Sequence, residues 1–383
     1  MDFHRIVKKC MRKYSIPNLG VVLISSDVNE INCYNLPDYE KTTSKTRWQI
    51  ASLSKNISAT CLCDILQFNE DLLELKPKDY FPEAKFSDDI VTDNANVADC
   101  MSHTTGIEVE AGSELIDRGY NREEAYKTFR FYPLRGFRST FNYCDLVFTL
   151  GFETVCSSLG KTMDQQLMEF FKKYNLKSTN FNTDNIIPQY DIEGNVYTQT
   201  ESVKEFIPAG GIVTTLKDLK TLIYIHLNQT ISTLDVMYEP IIKSGDSIYS
   251  PNGEHYGIGT AIVQLKNNVV LFHAGFFETG IATIILYDVE NRIGVGILSN
   301  KVNPIIQGLA YYYYLKLLGK CEETCIRYYT KTVEYQQKIL DEISCPVPNC
   351  DMIDSCNKIF YGKYYNDTYG WLLIGSNSVT IGQ

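Results

Sequence analysis

The sequence predicts an α+β fold in which an antiparallel sheet is flanked by helices. Four strand-like segments follow one another between residues 257 and 300, and the separators at 266–268 and 288–292 favour tight turns. Helical patterns recur through residues 67–205 and at both ends of the first 318 residues. With 383 residues, 44% of them apolar, the chain can bury a sizeable core. We therefore expect one compound domain and a smaller appendage.

The first predicted elements are a helix, a pair of strands and a buried helix. Helical spacing of apolar residues begins at Phe3 and predicts the first helix. Residues 20–25 and 30–34 read as strands joined by the turn at 26–29. The segment after Ser52 is apolar on more than one face, which predicts a buried helix.

The later elements are predicted from the same two patterns, a period of 3.6 residues for helices and of two residues for strands. Helices are predicted over residues 146–159, 163–174, 216–227 and from Pro304 to about 318, with Gly319 as the final C-cap. Strands are predicted over residues 257–265, 269–273, 280–287 and 293–300. In the tail, residues 334–343 look helical and residues 361–374 alternate like a short β hairpin.

Ser52 and Lys55 place a hydroxyl and an amine one helical turn apart at the start of the buried helix. Residues three apart lie on the same side of a helix, so these side chains can meet at its N-terminal end. An amine that loses its hydration there can take the serine proton and make the hydroxyl a nucleophile. The alternative is that Ser52 only caps the helix and Lys55 extends to water, because Ser-x-x-Lys patterns also arise by chance.

Two further residues stand where they could assist such a serine. Tyr143 comes directly before a helical segment and could ionise or relay a proton. His273 ends a strand-like segment and is followed by Gly275, which lets a substrate approach the backbone closely. Each has a structural alternative, since Tyr143 is one of 27 tyrosines and a single histidine is more often a satisfied core residue.

The order of these motifs resembles the penicillin-recognising serine hydrolases. The resemblance is to the branch that holds class C beta-lactamases, D-alanyl-D-alanine carboxypeptidases, D-aminopeptidases and related esterases. Ser-x-x-Lys at Ser52, a tyrosine motif at Tyr143 and His-x-Gly at His273 carry it. Further matching stretches, in chain order, are residues 16–22, 79–83, 102–107, 208–215 and 256–259.

The resemblance implies a beta-lactamase/transpeptidase-like fold. A serine hydrolase domain is expected over residues 1–318, with a helical subdomain over about 67–205 that closes a cleft above Ser52. Residues 319–383 are then a C-terminal extension that contains a helix followed by a short β hairpin.

The resemblance also implies roles for individual residues. Ser52 corresponds to the acylated nucleophile, Lys55 to its general base, and Tyr143 to the residue that passes a proton to the leaving group. His273 corresponds to a group that binds a substrate carboxylate or supports the tyrosine. The backbone N–H groups of Ser52 and Phe276 correspond to the oxyanion hole.

Asp145 departs from the family pattern, which usually has asparagine at this position. An amide can donate a hydrogen bond to a substrate carbonyl, whereas an ionised carboxylate only accepts. Asp145 could pair with Lys55 and oppose its use as a base, or it could select a substrate that bears an amine. Together with Gly275 and Phe276 it completes the predicted substrate-binding residues.

The composition argues against several partners. A formal charge of −10 and a pI near 5.1, without a basic run, argue against nucleic acid. No segment approaches the ~20 apolar residues of a membrane span, and the first ten residues lack the apolar core of a signal peptide. We therefore expect a cytoplasmic protein that acts on a small molecule or on a short peptide or ester, with its oligomeric state open.

No metal or organic cofactor is expected. The spacing of Cys321, Cys325, Cys345 and Cys350 is within the range of structural zinc sites but lacks a paired histidine or a Cys-x-x-Cys motif. The sequence thus predicts a serine hydrolase, a beta-lactamase-like peptidase or esterase, that forms an acyl-enzyme on an amide, ester or beta-lactam carbonyl. The alternative, motivated by Asp145, is a catalytically weak or inactive relative that serves as a binding or assembly protein.

Overall fold

The computed structural model describes residues 3–197, 203–247, 250, 252–265, 267–343, 362–366, 370–374 and 379–382. In these ranges the α-helices are α1 (Phe3–Lys13), α2 (Leu53–Leu66), α3 (Asp89–Asn94), α4 (Val97–Met101), α5 (Ser113–Asp117), α6 (Arg122–Tyr126), α7 (Asp145–Ser158), α8 (Met163–Lys173), α9 (Ile207–Gly210), α10 (Leu216–Leu227), α11 (Asp235–Tyr238), α12 (Ile306–Leu317) and α13 (Glu322–Ile343). Short 3-10 helices span Glu70–Glu74, Pro77–Asp79, Phe129–Phe131 and Val203–Phe206.

The strands are β1 (Asn18–Ile24), β2 (Asn29–Asn35), β3 (Trp48–Gln49), β4 (Gln189–Tyr190), β5 (Val196–Tyr197), β6 (Val213–Thr214), β7 (Ile242–Gly245), β8 (Glu254–Tyr256), β9 (Ala261–Leu265), β10 (Asn268–Phe277), β11 (Ile281–Asp288), β12 (Ile293–Ser299), β13 (Gly362–Asn366), β14 (Gly370–Ile374) and β15 (Val379–Gly382). Eight of them form the central sheet in the order β2-β1-β12-β11-β10-β9-β8-β7. Every neighbouring pair in this sheet is antiparallel, so the predicted α+β class is confirmed.

The central strands are buried on both faces. On β11, Ile285 and Tyr287 pack into the core that contains α2 and α10, whereas Ile284 and Leu286 pack into the core that contains α1 and α12. Successive side chains of a strand point to opposite faces, so a strand covered on both sides reads as a continuous apolar run. Helices therefore flank the sheet on both faces, as the sequence predicts.

The helix that carries Lys55 is the most buried helix of the site. All 14 residues of α2 are buried, which confirms the prediction made from its apolar residues. The bounds of α10 match the predicted segment, and the Thr215 side chain caps this helix by accepting from the Asp218 N–H. Between α2 and α10, helices α3 to α7 surround a third apolar core that includes Phe129 and Leu150. These helices hold the loop with Tyr143 near the beginning of α2.

Several elements differ from the sequence prediction. The last helix of the pattern begins at Ile306 rather than at Pro304, and α13 begins twelve residues earlier than the predicted 334, because its first half packs on α12 through Cys325 and Val333. Strands β13, β14 and β15 form a three-stranded antiparallel sheet where a two-stranded hairpin was predicted. Cys345 and Cys350 lie outside the described residues.

Strand β10, which carries His273, lies inside the central sheet and not at its edge. It pairs with β11 on one side and with β9 on the other, but β9 covers only Asn268–Phe272. Among the strands that the structure describes, none therefore pairs with that side of β10 from His273 onward. Across the helices that the structure describes, none is long and apolar enough to cross a membrane.

Candidate active site

The chain enters α2 through a constrained turn. Strand β3, which precedes the turn, pairs with β6, and the Ile50 N–H donates to the Ile212 carbonyl at 3.2 Å. Ala51 then takes a left-handed backbone conformation with φ of 48°, which is costly for a residue with a Cβ and is held by the surrounding pairing. Ser52 follows at the N-cap position, but its side chain makes no capping hydrogen bond. The hydroxyl is thus left for other partners.

Lys55 brings a fully buried amine to that hydroxyl. Its Nζ donates to Ser52 Oγ at 3.3 Å, to Asp145 Oδ1 at 2.5 Å and to the Ala209 carbonyl at 2.9 Å. The Lys55 side chain has no exposed surface, so the alternative in which it extends to water is wrong. Three acceptors match the three N–H bonds of an ammonium group.

Asp145 is the first residue of α7 and forms a buried ion pair with Lys55. Its side chain is 13% exposed, and its Oδ1 lies 2.5 Å from the Lys55 Nζ, so the two groups are in direct contact. Two roles were considered for Asp145, pairing with Lys55 and selection of a substrate with an amine, and the structure shows the pairing. The carboxylate therefore competes with Ser52 Oγ for the Lys55 side chain.

Tyr143 lies beside both groups. The Lys55 Nζ is 4.6 Å from the centre of its ring, and the Ser52 side chain is near enough to the phenol to lower its pKa slightly against the larger effects that raise it. Burial raises the pKa of Tyr143 well above its usual range, and the negative charge of Asp145 raises it further. The phenol therefore keeps its proton at neutral pH, which favours relay of a proton over ionisation.

His273 is close to this group but bonds elsewhere. Its Nδ1 lies 2.7 Å from the Ala274 carbonyl, an acceptor, so Nδ1 carries the proton and Nε2 accepts from the Tyr256 hydroxyl at 2.9 Å. Burial, helped by the positive charge of Lys55, lowers the pKa of His273 to about 3. A neutral, buried imidazole does not attract a substrate carboxylate by charge, so the geometry favours the other predicted role, support of the tyrosine.

An aromatic cluster connects His273 to Tyr143. The Tyr256 ring lies 5.3 Å from the ring of His103, which lies 4.4 Å from the ring of Tyr143. The Cys144 N–H donates to His103 Nδ1 at 3.2 Å, so His103 also anchors the backbone beside Tyr143. Packing on both the ring and the backbone limits the positions that the phenol can take.

Gly275 brings β10 into contact with the beginning of α2. A Cβ at this residue would lie 2.2 Å from the Ile50 carbonyl oxygen and 2.9 Å from the Leu53 nitrogen. Only glycine permits this approach. Phe276 follows directly after this contact, and β9 does not cover this part of β10.

Four residues of this region were not assigned a role from the sequence. Ala209 supplies a carbonyl to Lys55, while His103 and Tyr256 belong to the aromatic cluster. The fourth is Glu110, whose N–H donates to the Tyr143 carbonyl at 3.0 Å. Three of them lie within the stretches 102–107, 208–215 and 256–259 that carried the resemblance, so a signal existed for them. Glu110 had none.

Comparison with known proteins gives a family match and a similar solved structure. A family model described as Beta-lactamase matches residues 3–318. No curated protein matches the chain. Among solved structures, the chain is similar to an octameric penicillin-binding protein homologue from Pyrococcus abyssi, with a TM-score of 0.71 and 17% identity, covering 99% of this chain and 89% of that chain. At this identity the structural similarity concerns the fold alone.

Proposed function

Because the chain belongs to the beta-lactamase family, we propose that it is a serine hydrolase that forms an acyl-enzyme on an amide, ester or beta-lactam carbonyl. The observation that supports this most directly is the environment of Ser52 Oγ. It receives a hydrogen bond from Lys55 Nζ and lies near the Tyr143 side chain at the start of a buried helix. A serine placed between an amine and a phenol has one group that can take its proton when the amine is neutral and a second group that can relay a proton.

The proposed reaction begins with attack of Ser52 Oγ on the carbonyl carbon. The serine proton passes to the neutral amine of Lys55, and the carbonyl oxygen becomes an oxyanion. When the oxyanion returns to a carbonyl, the bond to the leaving group breaks, the leaving group takes up the proton through Tyr143 and departs, and the acyl-enzyme remains. The N–H groups of Ser52 and Phe276 are the proposed donors to that oxyanion, and each such donor contributes ~3 kcal/mol to transition-state stabilisation. A water molecule then hydrolyses the acyl-enzyme with Tyr143 assisting. His273 is proposed to act through Tyr256, as a positioning residue.

Labelling with a fluorophosphonate tests the nucleophile. Wild-type protein is expected to gain the mass of one phosphonyl group, because Ser52 Oγ displaces fluoride, and Ser52→Ala is expected to gain none. Ser54→Ala is the matched control, since Ser54 is a buried serine two residues away whose Oγ accepts from the Ile212 N–H. Intact-protein mass spectrometry is the measurement. An adduct that persists in Ser52→Ala would place the reactive group elsewhere.

Once an adduct is found, a substrate panel separates the activities that the family allows. p-Nitrophenyl esters, D-aminoacyl amides and a chromogenic cephalosporin report esterase, peptidase and beta-lactamase activity respectively. Each activity must be compared with that of Ser52→Ala on the same substrate, because activated esters also hydrolyse without a specific nucleophile.

A second candidate function is a catalytically weak binding or assembly protein, and the Lys55–Asp145 ion pair is the observation that favours it. A carboxylate that holds the lysine as an ammonium group competes with Ser52 for the same amine. An adduct absent from folded wild-type protein would support this candidate.

Replacement of Asp145 by asparagine is expected to speed labelling of Ser52 at neutral pH by about tenfold. Asparagine can still accept a hydrogen bond from Lys55 Nζ, but it lacks the charge that favours the ammonium form. The labelling rate with a neutral fluorophosphonate measures the effect, and a urea denaturation curve verifies folding. Slower labelling by the folded variant would show that the charge of Asp145 assists the reaction.

A further inference from the structure

Glu110 lies immediately beside the proposed catalytic groups. It belongs to the loop between α4 and α5, and its N–H donates to the Tyr143 carbonyl at 3.0 Å. Its Oε2 accepts from Ser113 Oγ at 2.9 Å and, at the longer distance of 3.5 Å, from the Asp145 N–H. Its φ of 54° is in the left-handed region, so the backbone is held in an unfavourable conformation at this residue. Hydrogen bonds of its backbone and its side chain therefore hold Glu110 against the segment that carries Tyr143 and Asp145.

The charge of Glu110 has no cation in contact with it. Lys55 is already paired with Asp145, and its two other acceptors, Ser52 and Ala209, are neutral. Within the described residues, no lysine, arginine or histidine forms a salt bridge with Glu110. Glu110 is also partly exposed.

Glu110 changes its charge near neutral pH. Burial raises the pKa of Glu110 to about 7, with a further increase from the charge of Asp145 that Lys55 opposes. The titratable groups that face it are Asp145 on α7, Lys55 on α2, and Tyr143 and Cys144 on the loop before α7. Burial raises the pKa of both Tyr143 and Cys144, so these two stay neutral. A change of charge at Glu110 is thus not cancelled by either of them.

We propose that Glu110 is a specificity-determining residue of the Ser52 site, and that this site prefers substrates whose acyl portion carries a positively charged nitrogen. The inference rests on the proposed function of Ser52. A cation next to the Glu110 carboxylate gains an interaction that no cationic side chain already satisfies, whereas an anion is repelled. The preference is expected to appear as pH rises through the titration of Glu110, because the protonated carboxyl has no charge to offer.

Two fluorophosphonates of matched shape test this preference. One carries a retained alkoxy arm that ends in trimethylammonium and the other an arm that ends in tert-butyl, so the two probes differ in charge and not in size. Neither arm titrates, and fluoride leaves from both when Ser52 Oγ bonds to phosphorus. The measured quantity is the ratio of the two second-order labelling rates. For wild-type protein we expect the ratio to rise about fivefold between about pH 5.5 and about pH 8.5.

The variant Glu110→Gln keeps an oxygen that can accept from Ser113 and removes the charge, so its ratio is expected to stay constant over this pH range. Glu108→Gln is the matched control, because it removes the same charge two residues away and should keep the wild-type dependence. The rate with the neutral probe verifies that each variant is folded. Equal, pH-independent labelling by both probes, or a dependence that survives in Glu110→Gln, would overturn the proposal while leaving the nucleophile intact. No labelling by either probe would overturn the proposed function and this inference together.

Discussion

Replacement of Lys55 by methionine is expected to abolish acylation of Ser52 and to lower the free energy of unfolding by about 3–5 kcal/mol. Methionine keeps a long flexible side chain but lacks the amine that lies 3.3 Å from Ser52 Oγ. The variant also leaves the Asp145 carboxylate without its cation in a site where little water reaches it. A buried charge without a partner is costly because neither solvent nor protein compensates it. The fluorophosphonate labelling rate and a urea denaturation curve measure the two effects.

The double variant Lys55→Met/Asp145→Asn separates catalysis from stability. It removes both charges, so most of the lost stability is expected to return while Ser52 stays unreactive. Lys161→Met is the control for an exposed ion pair, since Lys161 contacts Glu169 at the surface, and it should change the free energy of unfolding by about 1 kcal/mol or less. Rapid labelling of Lys55→Met would exclude Lys55 as the base.

Replacement of Gly275 by alanine is expected to slow labelling of Ser52 by at least about a hundredfold and to destabilise the fold by about 1–3 kcal/mol. The added methyl group would overlap the Ile50 carbonyl and the Leu53 nitrogen, which are backbone atoms that cannot turn away. To relieve the overlap, β10 and the beginning of α2 must separate. That movement changes the spacing between the Ser52 and Phe276 amides, and an oxyanion hole depends on fixed donors.

Gly245→Ala provides the control for the same substitution in the central sheet. A Cβ at Gly245 meets no atom within 4 Å, so labelling and stability should both remain close to those of wild type. If Gly275→Ala labels as fast as Gly245→Ala, β10 does not contribute to the position of the oxyanion donors. If it is destabilised but labels normally once folded, the contact is structural only.

Much of the fold follows from periodicity along the chain. The bounds of α10 agree with the 3.6-residue pattern, and β1, β2, β11 and β12 agree within about two residues with runs of apolar residues bounded by turns. For α13 only the second half was predicted as a helix. This helix packs mainly on one neighbour, so its apolar stripe is shorter than the helix itself and the pattern reveals only part of it. The length of β10 was also underestimated, since its last residues include glycine and alanine at the contact with α2.

The sequence by itself determined that Ser52 and Lys55 can meet, because residues three apart on a helix share a side, and the structure shows that they do. It also placed Tyr143 in a loop before a helix, whereas it assigned Gly275 to the close approach of a substrate and not to the contact with the backbone at the beginning of α2. Only the tertiary structure decided which groups those residues contact. Asp145 is 90 residues from Lys55 in the chain and Ala209 is 154, and no local pattern specifies whether such distant groups become neighbours. The same reason explains why Glu110 was missed: its charge matters only after folding brings its loop against Tyr143 and leaves it without a cation.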